Sequence, residues 1–181
     1  MGTLITDGFD SGDDEKVVQI LSKWKGGPLS DQLFTSVSKL TPQISAIITV
    51  FRKRNNIIET LLLPRPSDDP LYPNMLNLPG KMFRAVDFER SDSNPINGPL
   101  ERIQDRELKV KLKSVKFVDL VFQSITRGHI LVLLHLGELL EGQEDRDDWV
   151  WVDVNKLKET PKFLETETSA IEAGLKHYLA L

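Results

Sequence analysis

The sequence predicts an α+β domain in which a mixed β-sheet is packed between helices. Two pairs of apolar runs flank short polar turns, 44–52 with 57–64 about "KRNN" and 115–125 with 128–136 about "TRG", and each pair has the pattern of a hairpin. Apolar residues recur at helical spacing at both ends of the chain and in its middle. With 181 residues the chain can build one substantial core, and a second full domain is not expected. Hairpins alternating with helices indicate a sheet covered by helices rather than separate layers of one kind.

In chain order, residues 1–14 are rich in Gly and Asp and are expected to form a mobile tail. Val17, Ile20, Leu21 and Trp24 then mark a helix that "GGP" at 26–28 stops. Ser30 is a candidate N-cap for a second short helix carrying Leu33, Phe34, Val37 and Leu40, and Pro42 ends it. Residues 15–42 are therefore expected as a helical extension and 43–181 as the main domain. After the first hairpin, the Pro-rich stretch 64–74 must be loop, and "MLNLPGKMF" is a short strand broken at Pro79-Gly80. A second loop, 89–99, precedes the helix "ERIQDREL", which ends near 107 or 108. Beyond it, "LKVKLKSVKF" alternates apolar residues with Lys109, Lys111 and Lys113, the pattern of a strand with a solvated lysine face. "EGQEDRDD" is an acidic loop, "WVWVDVNKL" a last strand, and Ile171, Leu175, Tyr178 and Leu179 form one face of a terminal helix.

Composition narrows the function classes. Hydrophobic residues are 40% and charged residues 28%, as in ordinary globular proteins. A net charge of -4 argues against wholesale affinity for nucleic acid or an anionic membrane. The absence of cysteine excludes disulfides, thiolate metal sites and thiol nucleophiles, and fits a cytoplasmic location. "MGTLITDGFDSGDDEK" has neither a basic nor an apolar leader region, and "ILVLLHL" is too short to span a bilayer. No phosphate loop, dinucleotide fingerprint, HExxH or nucleophile elbow is present. His129 and His135 sit six apart on a strand and would share a face, but without a third ligand a core histidine is the simpler reading.

"NLPGKMF" followed by "ERIQDREL" resembles a Nudix hydrolase domain. The family's strand–loop–helix carries a Gly, a Glu about six positions later, then Arg-Glu, an aliphatic residue, a Glu-Glu pair and a Gly that ends the helix. Gly80 and Arg106-Glu107-Leu108 match this pattern. The first Glu falls on Val86, with Asp87 or Glu89 as possible substitutes; the Glu-Glu pair falls on Val110 and Lys111; the final Gly falls on Lys113. Positions i, i+3 and i+4 share one helical face, so three glutamates there would converge on hard divalent cations that neutralise a pyrophosphate and activate water. Here that trio is Glu107, Val110 and Lys111, which is not a Mg²⁺ site.

The resemblance therefore implies a Nudix-like domain with a degenerate box, inactive or impaired, that serves as a binding module for a nucleotide-like ligand or a protein partner. Glu107 and Arg106 are the expected catalytic remnants, with Glu107 the one candidate metal ligand. Arg65, Gly80, Lys81 and Lys111 are the expected ligand contacts; Arg106 would either lie on a solvated helix face or be buried against a loop-orienting carboxylate. Two alternatives stay open. One is a Mg²⁺-dependent hydrolase of a nucleoside diphosphate derivative, completed by Asp87, Glu89, Glu101 or the 141–148 loop. The other is an interaction domain without a ligand pocket, which would expose a sizeable apolar patch.

Overall fold

The computed structural model describes residues 11–23, 30, 32–33, 36–37, 41–89, 94–126, 128–143 and 146–181. Its elements are α1 (Ser11–Ser22), β1 (Gln43–Arg54), β2 (Ile57–Pro64), β3 (Leu76–Asn77), β4 (Gly80–Met82) and α2 (Ala85–Phe88). Then come α3, which runs Asn97–Arg102 and continues as a π-helical stretch Ile103–Leu108, β5 (Ser114–Ile125), β6 (Gly128–Glu138) and β7 (Val150–Asp153). Two short 3-10 segments, Val154–Glu159 and Glu165–Glu167, lead into α4 (Thr168–Tyr178).

β1 organises the sheet. Along one edge it runs parallel to β6, from Gln43 opposite Ile130 to Val50 opposite Gly137. Along the other it pairs antiparallel with β4 at Ser45–Ile47 and with β2 at Phe51–Arg54. β2 also pairs with β3 and β7, and β5 pairs with β6. The β1–β2 turn is the pair Asn55 and Asn56, with φ of 51° and 62°. Asn tolerates that left-handed geometry, and a two-residue turn of this hand matches the strand twist.

Residues 45–51 of β1 are buried without interruption because both faces of the strand are covered. Ala46, Ile48 and Val50 pack with Leu61, Leu63 and Trp149 against Ile103 and Leu108 of α3. Ile47 and Phe51 pack with Leu62, Val132 and Leu134 against Ala170 and Ile171 of α4. Each fully buried aliphatic side chain contributes about 1.5–3 kcal/mol. The fit of α4 is close: a Cβ on Gly174 would lie 2.5 Å from Thr49 Oγ1.

The mixed sheet between helices is as the sequence predicts, and two local expectations, the extent of the tail and the strand over 109–113, need correction. α1 begins at Ser11, inside the stretch expected to be a tail; residues 1–10 lie outside the described residues. Of the second helix, residues 32–33 and 36–37 are helical and Leu33 N–H approaches Ser30 Oγ at 3.4 Å, while Phe34 and Leu40 lie outside the described residues. Residues 109–113 are not strand. Lys109 has φ 56°, Val110 N–H donates to the Gln104 carbonyl (3.1 Å) and Leu112 N–H to Gln104 Oε1 (2.9 Å), so these amides are held by the end of α3. The apolar side of the alternation still packs on the core, and the lysines are exposed. Of the two strand histidines, His135 is a core histidine with Nδ1 2.9 Å from the Leu133 carbonyl, and His129 is exposed.

Candidate ligand cleft

A cleft of about 730 Å³ opens between the β3–β4 loop, the C-terminal end of α3 and the start of α4. Its first wall is the glycine loop "LPGK". Ile48 N–H donates to the Pro79 carbonyl (3.0 Å), which fixes the loop to β1. A Cβ on Gly80 would meet Ile47 Cγ1 at 3.0 Å, so a residue without a side chain lets the loop approach the strand.

Glu107 ties that loop to α3. Its Oε2 accepts a hydrogen bond from Gly80 N–H at 2.8 Å, and its Oε1 pairs with Lys81 Nζ at 2.5 Å. Both carboxylate oxygens are thus engaged by the loop. Arg106 also lines the cleft. Arg65 enters from the end of β2, held by an ion pair to Asp69 and stacked 5.7 Å from the Tyr72 ring centre. Lys109 lies at the rim with its ammonium 3.2 Å from Asp148.

Of the expected site residues, Arg65, Gly80, Lys81, Arg106 and Glu107 therefore come together in one cleft. Lys111 does not: its ammonium pairs with Asp105 at 2.5 Å on the exposed surface, because the turn at Lys109 carries it away. Of the carboxylates named for a hydrolase, Asp148 of the 141–148 loop lines the cleft, paired there with Lys109 and Arg146. Asp87 is buried and committed to Arg102, and neither Glu89, Glu101 nor Glu141 lines the cleft. Among the described residues no three His, Asp or Glu side chains converge as a metal-binding group.

The arginine of this helix that pairs with a buried carboxylate is the half-buried Arg102, while Arg106 is exposed. Arg102 Nη1 and Nη2 reach Asp87 Oδ1 and Oδ2 at 2.5 and 2.8 Å, and Nη2 also donates to the Met82 carbonyl at 3.1 Å. Asp87 further accepts from Arg84 N–H at 2.8 Å. The Arg102 guanidinium holds the Asp87 carboxyl below its usual range despite burial. Gly98 makes room for the pair, since a Cβ there would fall 2.2 Å from Asp87 Oδ1.

This pair shifts the motif by one helical turn. The left-handed residue ending α3 is Lys109, four before Lys113, and the arginine paired with Asp87 is four before Arg106. In that register Glu107 would fall at the last position of the Glu-Glu pair, with Ile103 and Arg106 at the other two.

Sequence reasoning missed Arg102 and also Glu167. Glu167 lines the cleft from the segment before α4, buried, with Oε2 lacking a hydrogen-bond partner among the described residues. Its carboxyl is raised to about 7, chiefly by burial and in part by Glu107, with the Gln123 amide and Arg65 opposing the rise. Its sequence context "LETETSA" gave no signal, because the burial depends on chain packing from β3 and β5. A second surface stands apart from the cleft: Phe117, Leu120 and Phe122 on β5 are exposed, Phe122 by 80%.

No family model matches the chain, and no curated protein sequence matches it. Solved structures do. The NUDIX domain of Shewanella oneidensis NrtR complexed with ADP ribose is similar at a TM-score of 0.55 and 13% identity, over 83% of this chain and 99% of that one. A C. elegans Ap4A hydrolase is similar at 0.54 and 14%, over 77% and 99%. S. oneidensis NrtR complexed with a 27mer DNA is similar at 0.57 and 16%, over 76% of this chain, which spans 62% of that chain's length. At these identities the likeness establishes the fold: the chain is a Nudix-like α+β domain.

Proposed function

We propose that this chain is a Nudix-fold binding module whose cleft takes a nucleotide-like ligand and whose box helix does not assemble a catalytic metal site. The observation that carries the reading is the engagement of Glu107. With Gly80 N–H on one oxygen and the Lys81 ammonium on the other, the last box carboxylate positions the glycine loop. A Mg²⁺ site needs several oxygen ligands converging on one point, and among the described residues no three His, Asp or Glu side chains group in that way, which supports the reading. The cleft offers cationic contacts for phosphate oxygens in Arg106, Lys81 and Lys109, and apolar wall from Ile47, Leu78 and Leu164. The ADP-ribose complex of one similar structure makes ADP-ribose the first probe. The DNA complex belongs to a longer neighbour, of whose length this chain spans 62%.

Calorimetric titration with ADP-ribose, in chelator and again in Mg²⁺, tests the reading. It expects metal-indifferent binding that Arg106→Glu weakens by at least about tenfold, the equivalent of one lost charge-assisted contact. Binding that requires Mg²⁺, or no binding, contradicts it.

A second reading, a protein contact, is favoured by the outer face of β5. Phe122 stands in register with Leu131 of β6, which stands beside Ile44 of β1, and Phe122 and Ile44 are both exposed. Sedimentation of the chain against Phe122→Asp tests it. A self-association lost in the variant supports a contact between copies, and a monomer in both removes that form of the reading.

A further inference from the structure

We propose that the cleft selects a singly charged phosphodiester of a nucleoside over phosphomonoesters and more highly charged anions, because Arg106 is its one cation without a carboxylate partner among the described residues. The inference rests on the binding-module reading and adds the charge class of the ligand.

The cleft is rich in cations, yet most of them are already answered. Arg65 is ion-paired to Asp69, whose Oδ1 also accepts from the Leu71 and Tyr72 amides at 3.1 and 2.8 Å. Lys81 Nζ lies 2.5 Å from Glu107 Oε1, and Lys109 Nζ lies 3.2 Å from Asp148 Oδ2. All six of these side chains line the cleft. Arg106 lines it too and is exposed, and its guanidinium has neither an ion pair nor a hydrogen bond among the described residues.

Two further groups complete the balance. Arg146 reaches Asp148 Oδ1 at 3.0 Å from outside the cleft, and Arg65 also favours the ionised form of Glu167, which is buried in the wall. With Glu167 ionised and histidine neutral, Arg65, Lys81, Arg106, Lys109 and Arg146 stand against Asp69, Glu107, Asp148 and Glu167. The excess is a single positive charge.

A paired ammonium keeps spare N–H donors, so Lys81 and Lys109 can hydrogen-bond a phosphate oxygen without supplying net charge. Arg106 meets one negative charge, and its planar fork can hold two oxygens of the same phosphate. A second negative charge on the ligand would leave water with no counter-charge to receive it, and that desolvation costs more than the added contact gains. ADP-ribose, with two phosphate charges, exceeds the balance by one. Ile47, Leu78 and Leu164 supply apolar wall for the uncharged remainder of the ligand.

Calorimetry on the full chain at about pH 8, in chelator so that no free metal supplies the missing charge, compares AMP with its phosphate methyl ester. AMP carries about two negative charges there and the ester one. The ester should bind at least about threefold tighter than AMP, and anything less overturns the proposal whatever the variants do. Asp148→Asn strips the partner from Lys109 and should move the AMP-to-ester affinity ratio at least about tenfold toward AMP. Glu138→Gln frees Lys113 outside the cleft and should leave that ratio level. An unmoved ratio in Asp148→Asn, or an equal shift in Glu138→Gln, also overturns it. If ADP-ribose binds and neither AMP nor its ester does, only the charge selection falls. If none of the three binds, the binding-module reading falls with it.

Discussion

Glu107 and Gly80 are joined by a 2.8 Å hydrogen bond from a loop amide to a helix carboxylate, 27 residues apart in the chain. With the Lys81 ammonium on the second oxygen, this one side chain fixes the glycine loop against α3.

Removing that link has a measurable cost. Glu107→Ala should lower unfolding stability by about 1–3 kcal/mol, because Gly80 N–H loses its partner. Glu107→Gln keeps an acceptor for that amide and should lose less. Urea midpoints for the three proteins check the order.

The Asp87–Arg102 pair should matter more. Arg102→Met leaves a buried carboxylate without its cation, a change that costs about 3–5 kcal/mol. The pH dependence has a fixed sign. Asp87 lies below its ordinary 3.8 in the fold, so its contribution is present above that value and is lost as pH falls through the folded value. Denaturant titrations in acid should therefore show a steeper loss in wild type than in Arg102→Met.

Glu167 carries the opposite sign. Its carboxyl is raised from 4.5 to about 7, so the fold binds the extra proton between those values and stability falls as pH rises through them. Glu167→Gln should be more stable than wild type at about pH 8, by up to about 3 kcal/mol, with the gain vanishing below 4.5. Thermal midpoints across that range report it.

Lys111 provides the contrasting case. Its pair with Asp105 is exposed, so Lys111→Ala should change stability by less than about 1 kcal/mol and leave ADP-ribose affinity unaltered in calorimetry.

The fold was legible because its signals are local and repeated. The apolar runs at 44–52, 57–64, 115–125 and 128–136 became β1, β2, β5 and β6, and the Asn pair gave the turn. The box helix was legible as far as Leu108, and its register was not. The match "REL" drew attention to Arg106, whereas the arginine paired to the buried Asp87 is Arg102, which no spacing rule revealed. The lysine alternation after Leu108 had the period of a strand, yet Gln104 took the backbone amides that a strand would have used. Glu167 was out of reach for the same reason, since its burial comes from chain segments distant in sequence.

The most direct test of the account is pyrophosphate-bond hydrolysis across a nucleotide panel with Mg²⁺ and Mn²⁺, run beside Glu107→Gln. The account predicts no turnover above a metal-free blank for either protein. Metal-dependent turnover in the wild type that Glu107→Gln abolishes would contradict it, because Glu107 would then leave Lys81 and Gly80 to serve a cation.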